Sequence, residues 1–441
     1  MNKFINTIKN IFSIEELRGR ILNTLLFITF FRLGSYIVLP GIDANKLDEK
    51  GSEGLLGLLN MFSGGAFNNA SIFALGIMPY ISASIAIQLL TIALPYFQKM
   101  QKDGESGRKK LNQITRVLTI AVTAAQATAY LQTTIPAEAI MVSAWSFRLF
   151  AVIILIAGTM FCMWLGEKIT DKGVGNGISM LIMIGIVSRF PSAIIGEAQS
   201  RGMSGALLFV IEMVALFFVV MLAVAVTQAV RRIPVQYAKQ VVGNRASAVS
   251  GERQYIPIKL NASGVMPIIF AQALMFVPGL VAGQFADKSE FALSVQQNFG
   301  DPAAWGYNLL FAFLIIVFTF FYTAISINPT QISDDMKRGG GFVPGVKPGE
   351  ATSSFIADIL DRITLPGAIM LAVIAILPAV ARLFGITSGF ASFFGGTSLL
   401  ILVGVVLDTL QQIESYLLMR KYEGLMQSGR VTGRTEATIG G

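Results

Sequence analysis

Asn60-Met61-Phe62-Ser63-Gly64-Gly65-Ala66-Phe67-Asn68-Asn69-Ala70-Ser71-Ile72-Phe73 interrupts an apolar run that extends from Leu58 to Tyr96. Backbone groups that leave a regular helix cannot face lipid; they must find partners in protein or in a water-filled cavity. The break therefore points to a polytopic membrane protein that encloses an aqueous space.

Composition agrees. Hydrophobic residues make up 54% of 441 positions and charged residues 14%, against roughly 25% charged in soluble domains. There are no histidines and one cysteine, Cys162, in an apolar stretch where it reads as a small buried hydrophobe. Disulfide frameworks, Cys/His metal sites and histidine proton relays are thereby excluded. The first twenty residues carry Lys3, Lys9, Arg18 and Arg20 without a small-residue cleavage site after the first apolar stretch, which therefore stays as a span.

At about 20 apolar residues per helix, ten spans are expected: Ile21–Leu39, Gly76–Tyr96, Thr115–Leu131, Phe147–Leu165, Gly177–Ile195, Leu207–Val230, Val265–Phe285, Tyr307–Ile327, Ile363–Phe384 and Phe394–Leu418. Most of the 34 Lys and Arg then lie in or beside inner segments if both termini are cytoplasmic. The spans divide into two fives: residues 1–195, an outer hinge at 196–206, and residues 207–418, followed by a cytoplasmic tail at 419–441. Because five is odd, the second half enters from the opposite side, the arithmetic of an inverted repeat.

A secondary transporter with such a repeat needs ionisable ligands near the bilayer midplane. Here Arg32, Glu212, Asp408 and Glu414 all sit toward span ends, where a charge avoids the roughly 2.5 to 3.5 kcal/mol cost of the centre. They read as packing or snorkelling residues. Isoleucines instead recur near span starts: Ile77 and Ile81, Ile178 and Ile182, each pair four apart on one helix face, then Ile269 and Ile401. Isoleucine is also ordinary lipid-facing material, and spacing alone does not separate the two readings.

Three inner loops are long. Those at 97–114 and 231–261 are basic, and that at 328–362 is mixed in charge with Pro-Gly turns. Ile256, Ile258 and Leu260 alternate with Pro257 and Lys259 as a short edge strand would, so a small hairpin is expected in the second. Such loops suit anionic RNA or an acidic protein surface, and equally suit topology setting and anionic lipid. No P-loop, GxSxG elbow or HExxH occurs, and Gly173-Val174-Gly175-Asn176-Gly177 lacks the spacing of a dinucleotide fingerprint. It reads as a tight turn into the fifth span. Any energy source is a partner or a gradient. Asn69-Ala70-Ser71 and Asn261-Ala262-Ser263 fit the glycosylation triplet, a pattern short enough to arise by chance.

The run from Asn60 to Ala66 followed by Ser71-Ile-Phe-Ala-Leu-Gly-Ile-Met-Pro-Tyr-Ile-Ser-Ala-Ser84 closely resembles the SecY family of bacterial protein-conducting channels. Asp103-Gly-Glu-Ser-Gly-Arg108, Met163-Trp-Leu-Gly-Glu167, Gly175-Asn-Gly-Ile-Ser179, Phe342-Val-Pro-Gly345, Pro348-Gly-Glu350 and Phe394-Gly-Gly-Thr-Ser-Leu-Leu400 follow in the family's order. The resemblance implies an all-α fold of ten transmembrane helices in two inverted halves around a pore. It makes Ile77, Ile81, Ile178, Ile182, Ile269 and Ile401 the pore ring, and Asn60 to Phe73 the plug, a re-entrant half-helix.

The family's lateral gate would lie between the second and third spans and the seventh and eighth, with Gln88 and Gln126 as candidate polar contacts. Lys239, Arg245 and Lys347 would dock the SecA motor or the ribosome. Lys347 stands where the family usually shows Arg, and Asn244 replaces a frequent basic residue. Also implied are SecE as a clamp, SecG as an accessory, signal sequences and nascent polypeptides as cargo, lateral release into membrane lipids, a bacterial plasma-membrane location and no enzymatic activity or cofactor. An ion-coupled transporter and a membrane scaffold that only recruits partners are the alternative readings.

Overall fold

A computed structural model describes residues 14–43, 46, 60–141, 143–202, 205–237, 254–261, 264–272, 274–275, 298 and 304–427. In chain order the helices and strands are α1 (Glu15–Gly34), α2 (Met78–Ala93), α3 (Pro95–Lys102), α4 (Gly104–Thr133), α5 (Ala144–Lys172), α6 (Gly177–Arg201), α7 (Ala206–Gln228), β1 (Val230–Tyr237), β2 (Gln254–Lys259), α8 (Trp305–Ser326), α9 (Pro329–Arg338), β3 (Gly341–Phe342), α10 (Glu350–Leu383), α11 (Ser388–Ala391) and α12 (Gly396–Gln427). Residues 266–272 are also helical.

Among the described residues seven helices are long and apolar enough to cross a membrane, and α2 with α3 makes an eighth candidate bent by 100°. The first expected span corresponds to α1, whose opening turns carry Glu15, Glu16, Arg18 and Arg20. The seventh begins at 266–272 and otherwise lies outside the described residues. The bend between α2 and α3 follows from Pro95, which pushes the preceding residue out of the helical region. Leu94 is extended, at φ −115° and ψ 122°.

The described residues fall into two compact units, one drawn from 1–51, 59–188 and 405–441, the other from the rest. In the first, α1 packs on α5, α2 on α4, and α4 on α5. Thr115, Thr119, Thr123 and Ala127 form a buried stripe of small residues on α4. Each threonine hydroxyl donates to the carbonyl four residues earlier, so none of these three hydroxyls is stranded where α4 packs.

In the second unit α8 packs on α10, and α10 also meets α7 and α9. The three-stranded sheet has the order β2-β1-β3. β1 and β2 are antiparallel, with Ile233 opposite Ile256 and Arg232 opposite Pro257. The expected edge strand is therefore present. Pro234 is tolerated in the middle strand because β3 pairs only with Gln236 and Tyr237, leaving β1 a free edge at that point. Ile233, Val235 and Ile258 bury against Met336, Val343, Ile356 and Leu360, an apolar cluster that holds the two large inner loops together.

The C-terminal end of α6 is fixed by buried charge. Arg201 donates from Nε to Glu197 at 3.0 Å and from Nη2 to Glu212 at 2.6 Å and the Gly385 carbonyl at 2.9 Å. The second oxygen of Glu197 accepts the Thr387 backbone N–H at 2.9 Å, and the Thr387 hydroxyl as well. Residues 196–201 are thus helical, and Arg201 ties them to Glu212 on α7 and to Gly385.

Candidate functional site

The segment that opens the sequence reading is compact and built from turns. Asn60–Phe62 is helical and the chain then runs in turns to Ile77, so most of the expected half-helix is non-helical. Its glycines and asparagines explain this, since Gly64, Gly65 and Gly76 all take positive φ. Asn60 Oδ1 accepts the Asn68 N–H at 3.1 Å, and Ser63 Oγ accepts the Phe67 N–H at 3.1 Å. Both side chains are buried, and they replace backbone partners the turns lack. Ala70 is the one non-glycine with positive φ among the described residues, at 44°. That conformation is strained for an L-residue, and it is held by the Leu39 N–H on the Ala70 carbonyl at 2.8 Å.

The seat is made by elements distant in sequence. Arg32 on α1 donates to the Gly64 carbonyl at 3.1 Å and to the Tyr36 hydroxyl at 3.1 Å. Tyr130, near the end of α4, donates to the Phe67 carbonyl at 2.6 Å, and its ring meets that of Phe67 at 4.6 Å. The Ile72 N–H donates to the Ile37 carbonyl at 2.9 Å. Phe73 stacks between Phe31 and Phe161, at 6.1 and 5.7 Å. Gly185 on α6 lets the turn come close: a Cβ there would meet the Gly64 nitrogen at 3.2 Å and collide with the Phe62 carbonyl. Arg32, read from sequence as packing or snorkelling, is a backbone ligand of this segment.

Four of the six candidate ring isoleucines share the first unit with this segment. Ile77 is buried in one cluster with Phe31, Phe73, Cys162, Leu165, Ile169 and Leu181, and Ile81 and Ile178 pack against it. Ile182 joins Ile77, Phe62 and Ser63 around a small, mainly apolar cavity. Ile77 and Ile182 therefore meet the segment at Phe62 and Ser63. In the second unit Ile401 on α12 is buried and Ile269 is half-buried. The two helices that carry them approach closely, because a Cβ on Gly404 would meet Val265 at 3.0 Å.

Gln88 is half-buried and donates to Ser84 on its own helix at 3.4 Å. Gln126 is half-buried on α4. Lys347 is exposed in the turn before α10, its carbonyl accepting from Thr352 at 2.9 Å. Lys239, Arg245 and Asn244 lie outside the described residues.

Neither the role of Tyr130 nor that of Arg32 is legible in the sequence. A lone arginine in the outer part of a span and a tyrosine at a span end were the available signals, and each is more often an interfacial anchor.

A model of the SecY family matches residues 71–410. The chain is 42% identical over 434 residues to the protein translocase subunit SecY of Streptomyces coelicolor, with 94% of this chain and 98% of that one covered. It is likewise 42% identical over 436 residues to that of Thermus thermophilus, with 96% and 97% covered. A solved structure described as that of a protein conducting channel matches with a TM-score of 0.67 at 15% identity, covering 90% of this chain and 92% of the other. Sec61 from a canine ribosome-channel complex matches with a TM-score of 0.62 at 14% identity, again covering 90% and 92%. These structural likenesses bear on the fold, and together with the full-length sequence matches they lead to one assignment: the chain belongs to the SecY family.

Proposed function

We infer that this multi-pass membrane protein is a protein-conducting channel, not an enzyme, that translocates unfolded secretory polypeptides. The observation that carries the reading is a short, non-spanning segment seated on a cluster of aliphatic side chains. Residues 60–73 act as the plug, and Ile77, Ile81, Ile178, Ile182, Ile269 and Ile401 as the ring it closes. Aliphatic side chains have no fixed hydrogen-bond pattern, so they close around many sequences without binding one, and an apolar constriction resists wetting and ion flow. Purified protein reconstituted with its partners in vesicles should admit a signal-bearing precursor to the protease-protected lumen. A preparation that engages the precursor without protecting it would favour the scaffold reading.

The finer assignments rest on the family. The channel sits in the bacterial plasma membrane with both termini cytoplasmic. SecE clamps it, SecG assists, and SecA or a translating ribosome drives transport through the inner loops, with Lys239, Arg245 and Lys347 as contacts. Apolar segments leave sideways past Gln88 and Gln126. The two halves hinge at the connection 196–206, which the ion pair between Arg201 and Glu212 spans.

That cluster also argues against an ion-coupled transporter, since Glu212 is committed to Arg201. Glu212→Gln should leave translocation intact. Arg201→Leu, which strands two buried carboxylates, should destabilise the protein by about 3 to 5 kcal/mol in a thermal melt. Loss of saturable small-molecule uptake in Glu212→Gln would restore the transporter reading.

A further inference from the structure

The loop between α5 and α6, Gly173 to Asn176, and the first residue of α6, Gly177, have a backbone group of nearly every residue held by a side chain. The Arg20 guanidinium donates to the Gly173 carbonyl at 3.4 Å. The Val174 N–H donates to Thr24 Oγ1 at 3.0 Å, and the Gly175 N–H to Gln412 Oε1 at 2.8 Å. Asn176 Oδ1 accepts the Ile178 and Ser179 N–H groups at 3.1 and 3.3 Å, capping α6. The Gly177 N–H donates to Thr170 Oγ1 at 2.9 Å. Val174 and Gly175 are buried, so no water replaces these acceptors.

Three of the grips come from other helices, Arg20 and Thr24 from α1 and Gln412 from α12. A second contact from α12, Thr409 Oγ1, reaches Met180 Sδ at 3.9 Å. Ile178 follows the loop at once and Ile182 follows one turn later. A half-turn slip of α6 at its start would rotate both off the face they share.

We propose that Gln412 and Thr24 are positioning residues for the pore ring: they fix the Gly173–Gly177 loop from two neighbouring helices and so set the rotation of Ile178 and Ile182. Neither touches the translocating chain. The proposal rests on the reading of Ile178 and Ile182 as ring members. It also explains why an exposed glutamine on a membrane helix aims its amide oxygen at a buried glycine N–H.

The test is resting ion conductance of the purified complex in planar bilayers, with thermal midpoint measured alongside. Gln412→Leu and Thr24→Val each remove an acceptor and should raise conductance by about fivefold or more, with folding unchanged. Gln412→Glu and Thr24→Ser keep the acceptor and should restore the tight state, a rescue that loss of general packing does not give. Ile182→Asn serves as the control for the ring itself. If Ile182→Asn leaks while Gln412→Leu and Thr24→Val stay tight, the positioning role is wrong. If the conservative variants leak as much as the disruptive ones, it is also wrong. A tight Ile182→Asn would remove the ring reading and the proposal with it.

Discussion

Asparagine at Ile81 and Ile182 together should raise the resting ion conductance of the channel by about 5- to 150-fold, with precursor export still possible. In the closed state both positions pack in or beside the apolar cluster of Phe31, Phe73, Ile77 and Leu181. The penalty for an amide without a partner falls chiefly at buried Ile182, since Ile81 is half-buried. At Ile182 it is about 1 to 3 kcal/mol, on the closed state only, because a wet or occupied pore hydrates the amide. A free-energy difference of that size moves a two-state balance by roughly 5- to 150-fold. Leucine at the same positions conserves volume and should stay near wild type, within about 1.5 kcal/mol. Bilayer conductance of purified complexes checks both. Equal conductance for the asparagine and leucine pairs would show that these side chains do not form the seal.

Removing the two latches of residues 60–73 should unseat the segment with the ring left intact. Arg32→Leu deletes a charged donor to the Gly64 carbonyl, a bond worth about 1.5 to 3 kcal/mol. Tyr130→Phe keeps the ring contact with Phe67 and deletes only the hydroxyl donor, about 1 kcal/mol. The donors serve different carbonyls, so the double variant should approach the sum. Each 1.4 kcal/mol corresponds to about tenfold in the seated fraction. Arg32→Lys keeps charge but not the two-pronged grip on Gly64 and Tyr36, and should fall between. Gly185→Val attacks the same seat sterically, through the Phe62 carbonyl. The readout is labelling of a cysteine at Ala66, which is 1% exposed, by a membrane-impermeant maleimide in a Cys162→Ala background. Unchanged labelling across all five variants would mean the segment is held by other contacts.

What sequence made legible was whatever depends on composition and period. The spans announce themselves because lipid tolerates only long apolar helices, and β2 because Ile256 and Ile258 alternate around a proline confined to an edge. The broken segment was visible for the same reason: Gly64, Gly65, Asn68 and Asn69 cannot sit in lipid as ordinary helix. Its seat was not visible. Arg32 meets Gly64 across 32 positions of chain, and Tyr130 meets Phe67 across 63, and no local pattern encodes either pairing. The clamp at Arg201 was hidden likewise, because Glu197, Glu212 and Thr387 come together only through folding. The ring isoleucines stand between these cases, with spacing that suggests a face while resemblance supplies its role.

The central claim is that a polypeptide passes through the isoleucine ring. Cysteine placed singly at Ile81, Ile269 or Ile401, after Cys162→Ser, should form a disulfide with a cysteine in a secretory precursor arrested midway through export, and the adduct should require the signal sequence. An engaged precursor that yields no adduct at any of the three positions would contradict it.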